Sequence, residues 1–461
     1  MSRSFGLFLA VAGIVALAGC GATNGQEVSV ETVQVSGLDA PTDVAVRPNS
    51  SGQLWVTNSA ADSVTVVDGA SHEPTADTRV DAYAEHFAAV PSGLAFNTEG
   101  TYFALSTNSN NEVRDIEFKI NPERNTYFRG SNFMGPALFA TDTFSRAGQS
   151  KEYLEDWPQP GYGHDPVNDV PQEECPDEFW SRSDKSCHWP REGSHVDMLH
   201  GSPLSTGIVH DTANAYYLLD GCGSRDADNN CQFDGHLVMN DFNRDHQEGN
   251  GFHGDGVSHR FIDSPFTRVD GIPAGMVKNG DWVYYADTGA GVVRRTNVAS
   301  GRSVALVASW TGESDKRHHT GHGLQDWSHA HNSPGDGAAP EVVSTWVQDH
   351  GDAAAIAAEG DKWIMPQEVL RDYSYIHDTT TDIVIGNDVL EKPSGLATDG
   401  TTMYVSDFQT GDIYSFTPDA SPATKVANVG HGVTGLAWSP EDSTIYATNM
   451  IEDSLVSVRL S

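Results

Sequence analysis

Histidine is the residue type whose distribution most suggests chemistry. Of the 19 in the chain, twelve lie between His195 and His331, and five of these (His318, His319, His322, His329 and His331) fall within residues 317–331. Imidazole is the commonest neutral ligand of transition metals, and the H-H-x-x-H and H-x-H spacings let two ring nitrogens of one loop approach one ion. The same text is also compatible with a solvated Gly-, Ser- and Asp-rich loop. A second set is scattered along the chain: His200, His431, Asp39 and Glu391 each stand shortly before a turn that opens a repeated unit. Two imidazoles and one or two carboxylates would form a Zn²⁺ or Fe²⁺ shell with a position left for water or substrate, and Glu391 or Asp270 would then be the base that moves a proton. A third set lies in 241–256, where Asp241, Asp245 and His253 stand among glycines that would let several ligands turn to one centre. Turn-capping carboxylates are the structural alternative for that stretch.

Asp226, Asp228, Asn230 and Asp234 occupy spacings 1, 3, 5 and 9 of a calcium-loop pattern. Hard oxygen ligands at that spacing suit Ca²⁺. Cys231 stands where such a loop has its turn glycine, and Leu237 where it has its bidentate Glu. Neither a G-x-S-x-G elbow, nor S-x-x-K, H-E-x-x-H or C-x-x-C-H occurs, and no Gly-rich loop leads into a helix pattern. The sequence therefore offers metal chemistry rather than a nucleophile or a nucleotide site.

Charge narrows the partners. With 64 Asp and Glu against 27 Lys and Arg, the formal net charge is −37. Nucleic acid and anionic lipid surfaces require clustered cations and are excluded as partners; cations are favoured. The N-terminus has Arg3 followed by an apolar run, 6–18, too short to span a bilayer. It ends in Leu17-Ala18-Gly19-Cys20, which resembles the processing box of bacterial lipoproteins. That resemblance implies a signal peptide over 1–19, acylation of Cys20, a tether over 20–27 and attachment to the cell envelope through lipid alone, on the periplasmic side or at the cell surface. Export would place Cys175, Cys187, Cys222 and Cys231 in an oxidising compartment. Of the three possible pairings, 175 with 187 and 222 with 231 close the shortest loops.

These side chains need a frame, and internal repetition supplies it. Six segments share a Pro-Ser-Gly-like turn, a short apolar strand, a polar turn and a second strand ending near Asn or Asp. They begin at Pro41, Pro91, Ser205, Pro273, Pro393 and Val433. Third strands are expected at Ser63–Asp68, Glu112–Ile120, His236–Phe242, Val292–Asn297, Ile413–Phe416 and Leu455–Leu460. A unit this small cannot bury its own face, so neighbours must stack, and a radial array leaves only short edges open.

The units resemble NHL-type repeats, best at Tyr285-Ala286-Asp287-Thr288-Gly289 and Tyr404-Val405-Ser406-Asp407, over most of 28–120 and 200–461. The resemblance implies an all-β β-propeller over 28–461, six-bladed, or seven-bladed if a degenerate unit occupies 353–370. Val28–Val35 would close the ring against the last blade, and long insertions near 121–197, 221–234 and 311–378 would cap one face. Pro41–Val46 also looks like the repeat openings of peptidyl-hydroxyglycine amidating lyases, six-bladed enzymes whose zinc is held by histidines around the channel. Here only the third and sixth units have His before the turn, at His200 and His431. Two functions follow as expectations. One is a monomeric, metal-containing binding or scaffolding propeller for a protein, glycan or small molecule; the other is a metal-dependent lyase or hydrolase centred at the channel mouth.

Overall fold

The computed structural model describes residues 28–68, 74–79, 88–108, 117–121, 126–129, 136–144, 180–181, 186–187, 195–198, 202, 204–221, 224–225, 231–233, 235–243, 257–305, 308–309, 362–363, 373–418 and 422–460. Most of these residues build six sheets, each with an antiparallel four-stranded core, arranged as blades I to VI of a propeller. From the channel outward, blade I is Pro41–Val46, Leu54–Asn58, Ser63–Asp68 and Thr75–Arg79. Blade II is Pro91–Phe96, Tyr102–Thr107, Ala137–Ala140 and His195–Met198. Blade III is Thr206–His210, Ala215–Leu219, Gly235–Asp241 and Val257–Phe266. Blade IV is Met276–Asn279, Trp282–Asp287, Val292–Asn297 and Thr380–Ile385, and blade V is Pro393–Thr398, Met403–Asp407, Asp412–Phe416 and Thr424–Asn428. Blade VI is Val433–Ser439, Thr444–Asn449 and Ser454–Leu460, completed on its outer side by Val28–Val33.

That last strand pairs antiparallel with Ser454–Leu460 from Val28↔Leu460 to Val33↔Leu455, so the two ends of the propeller share one sheet. The six inner strands touch in cyclic order, I through VI and back to I. Closure follows from the pleat: alternate side chains on each strand point to opposite neighbouring blades, so the inner part of each sheet is buried on both faces while outer strands such as Thr75–Arg79 stay exposed. The second strands show it most clearly, with Leu54–Asn58, Ala215–Leu219 and Met403–Asp407 buried along their whole length. Between blades I and II, Trp55 meets Phe96 and Phe103 edge-on at 5.3 and 5.0 Å. Between V and VI, Tyr404 stacks on Trp438 at 5.9 Å. Such aromatic pairs add to the area they remove from water.

Two sequence expectations require correction. The third strand of blade II is Ala137–Ala140, not Glu112–Ile120; Glu117–Asn121 instead forms a separate two-stranded ladder with Thr126–Arg129. Ala137–Ala140 is short and apolar throughout, so it carries no alternation by which to find it. The ring has six blades, and among the described residues Lys362–Trp363, within the stretch proposed for a seventh, pairs only with Ala308–Ser309. The long segments also divide between the two ends of the wheel. Those joining a second strand to a third, 108–136 in blade II and 220–234 in blade III, leave from the end where inner strands begin. Those joining a third strand to a fourth, 141–194 in blade II and 298–379 in blade IV, start from the opposite end. Part of the latter returns to the neighbouring blade: Tyr373–His377 pairs parallel to Val257–Phe266, and Arg302–Ala305 pairs with it in turn, which widens blade III to six strands.

Candidate functional site

The channel mouth is the end at which each inner strand begins, and the segments approaching it are clamped by the residue ending the second strand of the same blade. This holds in blades I, IV, V and VI: in blade V, Asp407 accepts from the N–H groups of Glu391 (2.6 Å), Lys392 (3.1 Å), Gln409 (2.9 Å) and Thr410 (3.1 Å). In blade VI, the Asn449 amide donates to the carbonyl of His431 at 3.0 Å and accepts from Ile451 and Glu452. In blade I, Asn58 accepts from the Asp39 N–H at 3.2 Å. In blade IV, Asp287 accepts from Thr267 N–H at 2.8 Å and pairs with Arg294 at 2.6 Å. The Asp or Asn of the Y-V-x-D text is thus a fastening, since an acceptor buried at a strand end must be satisfied by the backbone that folds over it.

A second clamp crosses between blades. Asp62, in a turn of blade I, accepts from Val90 N–H at 2.7 Å on the approach to blade II, and Asp453 of blade VI accepts from Ala40 N–H at 2.8 Å on the approach to blade I. Both held residues have positive φ, 49° at Val90 and 46° at Ala40. That conformation is costly for a β-branched side chain and persists only where neighbours enforce it.

On this frame Asp39, Asp270, Glu391 and His431 all stand on approach segments at the mouth, in blades I, IV, V and VI. Glu391 and His431 are exposed, and the His431 ring meets the edge of Phe408 at 5.3 Å. Asp270 is exposed and pairs with Arg268 at 2.6 Å, while Arg268 also donates twice to Asn108 of blade II, at 3.1 and 2.9 Å. Arg268 therefore reaches from the approach to blade IV as far as blade II. Among the described residues no three His, Cys, Asp or Glu side chains gather as a metal-binding group. His200, His253, Asp245, Asp226, Asp228, Asn230, Asp234, Cys175, Cys222 and Cys20 lie outside the described residues, as do the histidines of 317–331. Cys187 and Cys231 lie on short strands opposite Trp180 and Arg225. Asp241 ends the third strand of blade III, at the end opposite the mouth, and accepts from Asn243 N–H at 2.8 Å. It cannot share a centre with Asp39 and His431.

Asp43 is the functional candidate that reading for metal ligands overlooked. The third residue of the repeated unit, at or beside the start of the inner strand, is glycine in five blades (Gly93, Gly207, Gly275, Gly395 and Gly435) and Asp43 in blade I. The glycines are required by close approach. A β-carbon on Gly275 would stand 2.8 Å from Gly395 Cα, one on Gly395 2.9 Å from the Gly435 carbonyl carbon, and one on Gly435 2.5 Å from Asp43 Cα. The Asp43 carboxylate accepts from Leu94 N–H of blade II and from its own neighbour Val44 N–H, both at 2.9 Å. The residue as a whole is half-buried. Burial raises its carboxyl to about 7, against the lowering effect of the Leu94 and Val44 N–H groups.

These strands and clamps define an all-β, six-bladed propeller. No family model matches the chain, and no curated protein matches its sequence. Solved structures do. It is similar to virginiamycin B lyase from Staphylococcus aureus (9% identity, TM-score 0.42, 94% of this chain and 100% of that one). It is also similar to an auxiliary nutrient binding protein from Bacteroides thetaiotaomicron (9%, 0.41, 94% and 77%) and to a calcium-binding regucalcin from Agrobacterium tumefaciens (9%, 0.40, 93% and 93%).

Proposed function

We propose that the chain is a lipid-anchored propeller of the bacterial cell envelope that binds or scaffolds a protein, glycan or small molecule on its mouth face, working as a monomer. Divalent metal enters this reading as a staple, Ca²⁺ held by Asp226, Asp228, Asn230 and Asp234; Zn²⁺ or Fe²⁺ held by His200, His431 and Asp39 belongs to the alternative, a metal-dependent lyase or hydrolase centred at the mouth. The observation that supports it most is the division of labour at the mouth. Buried Asp407 and Asn449 and their counterparts hold the approach backbone rigidly, while Glu391 and His431 are left outward on fixed stems. Side chains on a rigid frame meet a ligand at a smaller ordering cost than side chains on a loose loop.

Elemental analysis of the purified protein, with and without the double change His200→Ala and His431→Ala, tests the reading. Stoichiometric Ca²⁺, with any other metal unaffected by the pair, fits a binding propeller with stapled loops. Loss of one equivalent of Zn or Fe with the pair would favour a metal-dependent lyase or hydrolase at the mouth. Labelling with a radioactive fatty acid that is abolished by Cys20→Ala tests the anchor.

A further inference from the structure

Five glycines and one aspartate line the ring at one level, so Asp43 is where the hub departs from its own symmetry. Four strands pack against the inner strand Pro41–Val46: Leu54–Asn58, Pro91–Phe96, Val433–Ser439 and Thr444–Asn449. None of the five carries a Lys, Arg, His or second carboxylate. Their single other titratable group is Tyr446, whose hydroxyl is turned to Asp442 at 3.0 Å. Arg47, one residue beyond the inner strand, spends its guanidinium on the Gly100 carbonyl (2.9 Å), Thr141 (3.1 Å) and Gln53 (3.3 Å). Asp39 and His431 stand outside these strands, on the approaches to blades I and VI. The Asp43 carboxylate thus receives backbone N–H groups from blades I and II and abuts Gly435 of blade VI, but faces no counter-charge among the described residues.

We propose that Asp43 makes closure of the propeller ring depend on proton uptake. With its carboxyl neutral the inner strands of blades VI, I and II close tightly, and ionisation sets an unpaired charge at their seams and loosens them. Because burial raises the carboxyl to about 7, the change falls at neutral pH. A carboxyl whose folded-state value lies above its ordinary one favours the folded state most where it is protonated in both folded and unfolded chains. That stability is lost as pH rises from about 4, the ordinary carboxylate value, through about 7, and the loss then levels off.

Thermal and urea unfolding of the full chain and of Asp43→Asn and Asp43→Gly, from pH 5 to pH 8.5, tests this. Comparison with the variants cancels every other titrating group. The expected result is an unfolding constant for the parent that rises against both variants by up to about tenfold per pH unit below 7, and runs parallel to them above it. Parallel profiles throughout would overturn the proposal. Should Asp43→Asn fail to fold, Asp43→Gly, which reproduces the other five blades, carries the comparison. Hydrogen exchange of the parent alone gives a second reading. Amides of 41–46 and 91–96, corrected for intrinsic rate, are expected to lose protection between pH 6 and 8, and unchanged protection counts against the idea.

Discussion

Where blade V meets blade VI, the Ser394 hydroxyl donates to the Val433 carbonyl at 2.8 Å and lies 2.9 Å from Ser406 on its own second strand. The pattern repeats with Thr434 to the Pro41 carbonyl (3.0 Å), Thr42 to the Pro91 carbonyl (2.7 Å) and Ser92 to the Ser205 carbonyl (2.7 Å), each backed by a second-strand hydroxyl at 2.8–3.0 Å. Blades III and IV break the relay. Thr206 accepts from Ala274 N–H instead of donating, Ala274 has no hydroxyl to pass on, and Leu219 and Ala286 stand where the other second strands have Ser or Thr. In their place are ion pairs: Asp220 with Arg260, both buried, and Asp287 with Arg294. Asp407, by contrast, is satisfied by four backbone N–H groups. The wheel is thus fastened by short neutral hydrogen bonds in one part and by charge in another, and the two should fail differently.

The largest difference is expected at Asp220. Arg260→Met leaves a buried carboxylate without its partner, which costs about 3–5 kcal/mol, whereas pairing it with Asp220→Asn should recover much of the loss. Urea unfolding of the two variants checks this; a single variant no worse than the double would mean that Asp220 is neutralised by some other group. His236, also in blade III, gives the same part of the wheel an acid sensitivity. Burial lowers its imidazole to about 4, with Arg260 adding to the effect and Asp263 opposing it. A base held below its ordinary value of 6.5 contributes stability that is fully present above 6.5 and is lost as pH falls toward 4, on the order of 3 kcal/mol. His236→Gln should flatten the acid limb of the melting profile, and an unchanged limb would refute the assignment. On the neutral side, Ser394→Ala removes one donor from a buried carbonyl and should cost about 1 kcal/mol with no dependence on pH.

This division also decides what could be read from the chain before folding. The relay half announces itself: Pro393-Ser394-Gly395 and Tyr404-Val405-Ser406-Asp407 are close copies of one text because each residue performs a fixed task in it, turn, donor, close approach, clamp. Blade II hid its third strand because Ala137–Ala140 is buried on both faces, and burial on both faces erases the period-two pattern. The two strands added to blade III escaped notice because their partners lie in another repeat, joined through parallel pairing that leaves no local turn signal. Among candidate ligands, position could be read but pairing could not. Asp39, Glu391 and His431 did reach the mouth, yet nothing in their spacing marked Asp407 and Asn449 as the groups that hold them. Asp43 was legible in principle, as the one acid in a column of glycines, and a search for ligand spacing looks past such a residue.

The smallest effect is the sharpest test of the comparison. If the seam between blades IV and V differs from the others only by a missing hydroxyl, Ala274→Ser should restore a donor toward the Pro393 carbonyl and stabilise the protein by about 0.5 kcal/mol. That seam already has a bond of its own, from Gly275 N–H to the Ser394 carbonyl, which draws the two inner strands together. A serine at 274 that destabilises would mean this backbone bond has taken the room the hydroxyl needs, because a buried donor without an acceptor costs more than a satisfied one gains. The sign of the change, read by urea titration against Ser394→Ala in the same buffer, therefore decides between two accounts of blades III and IV. They either follow the same plan with one part left out, or close the ring by a different plan.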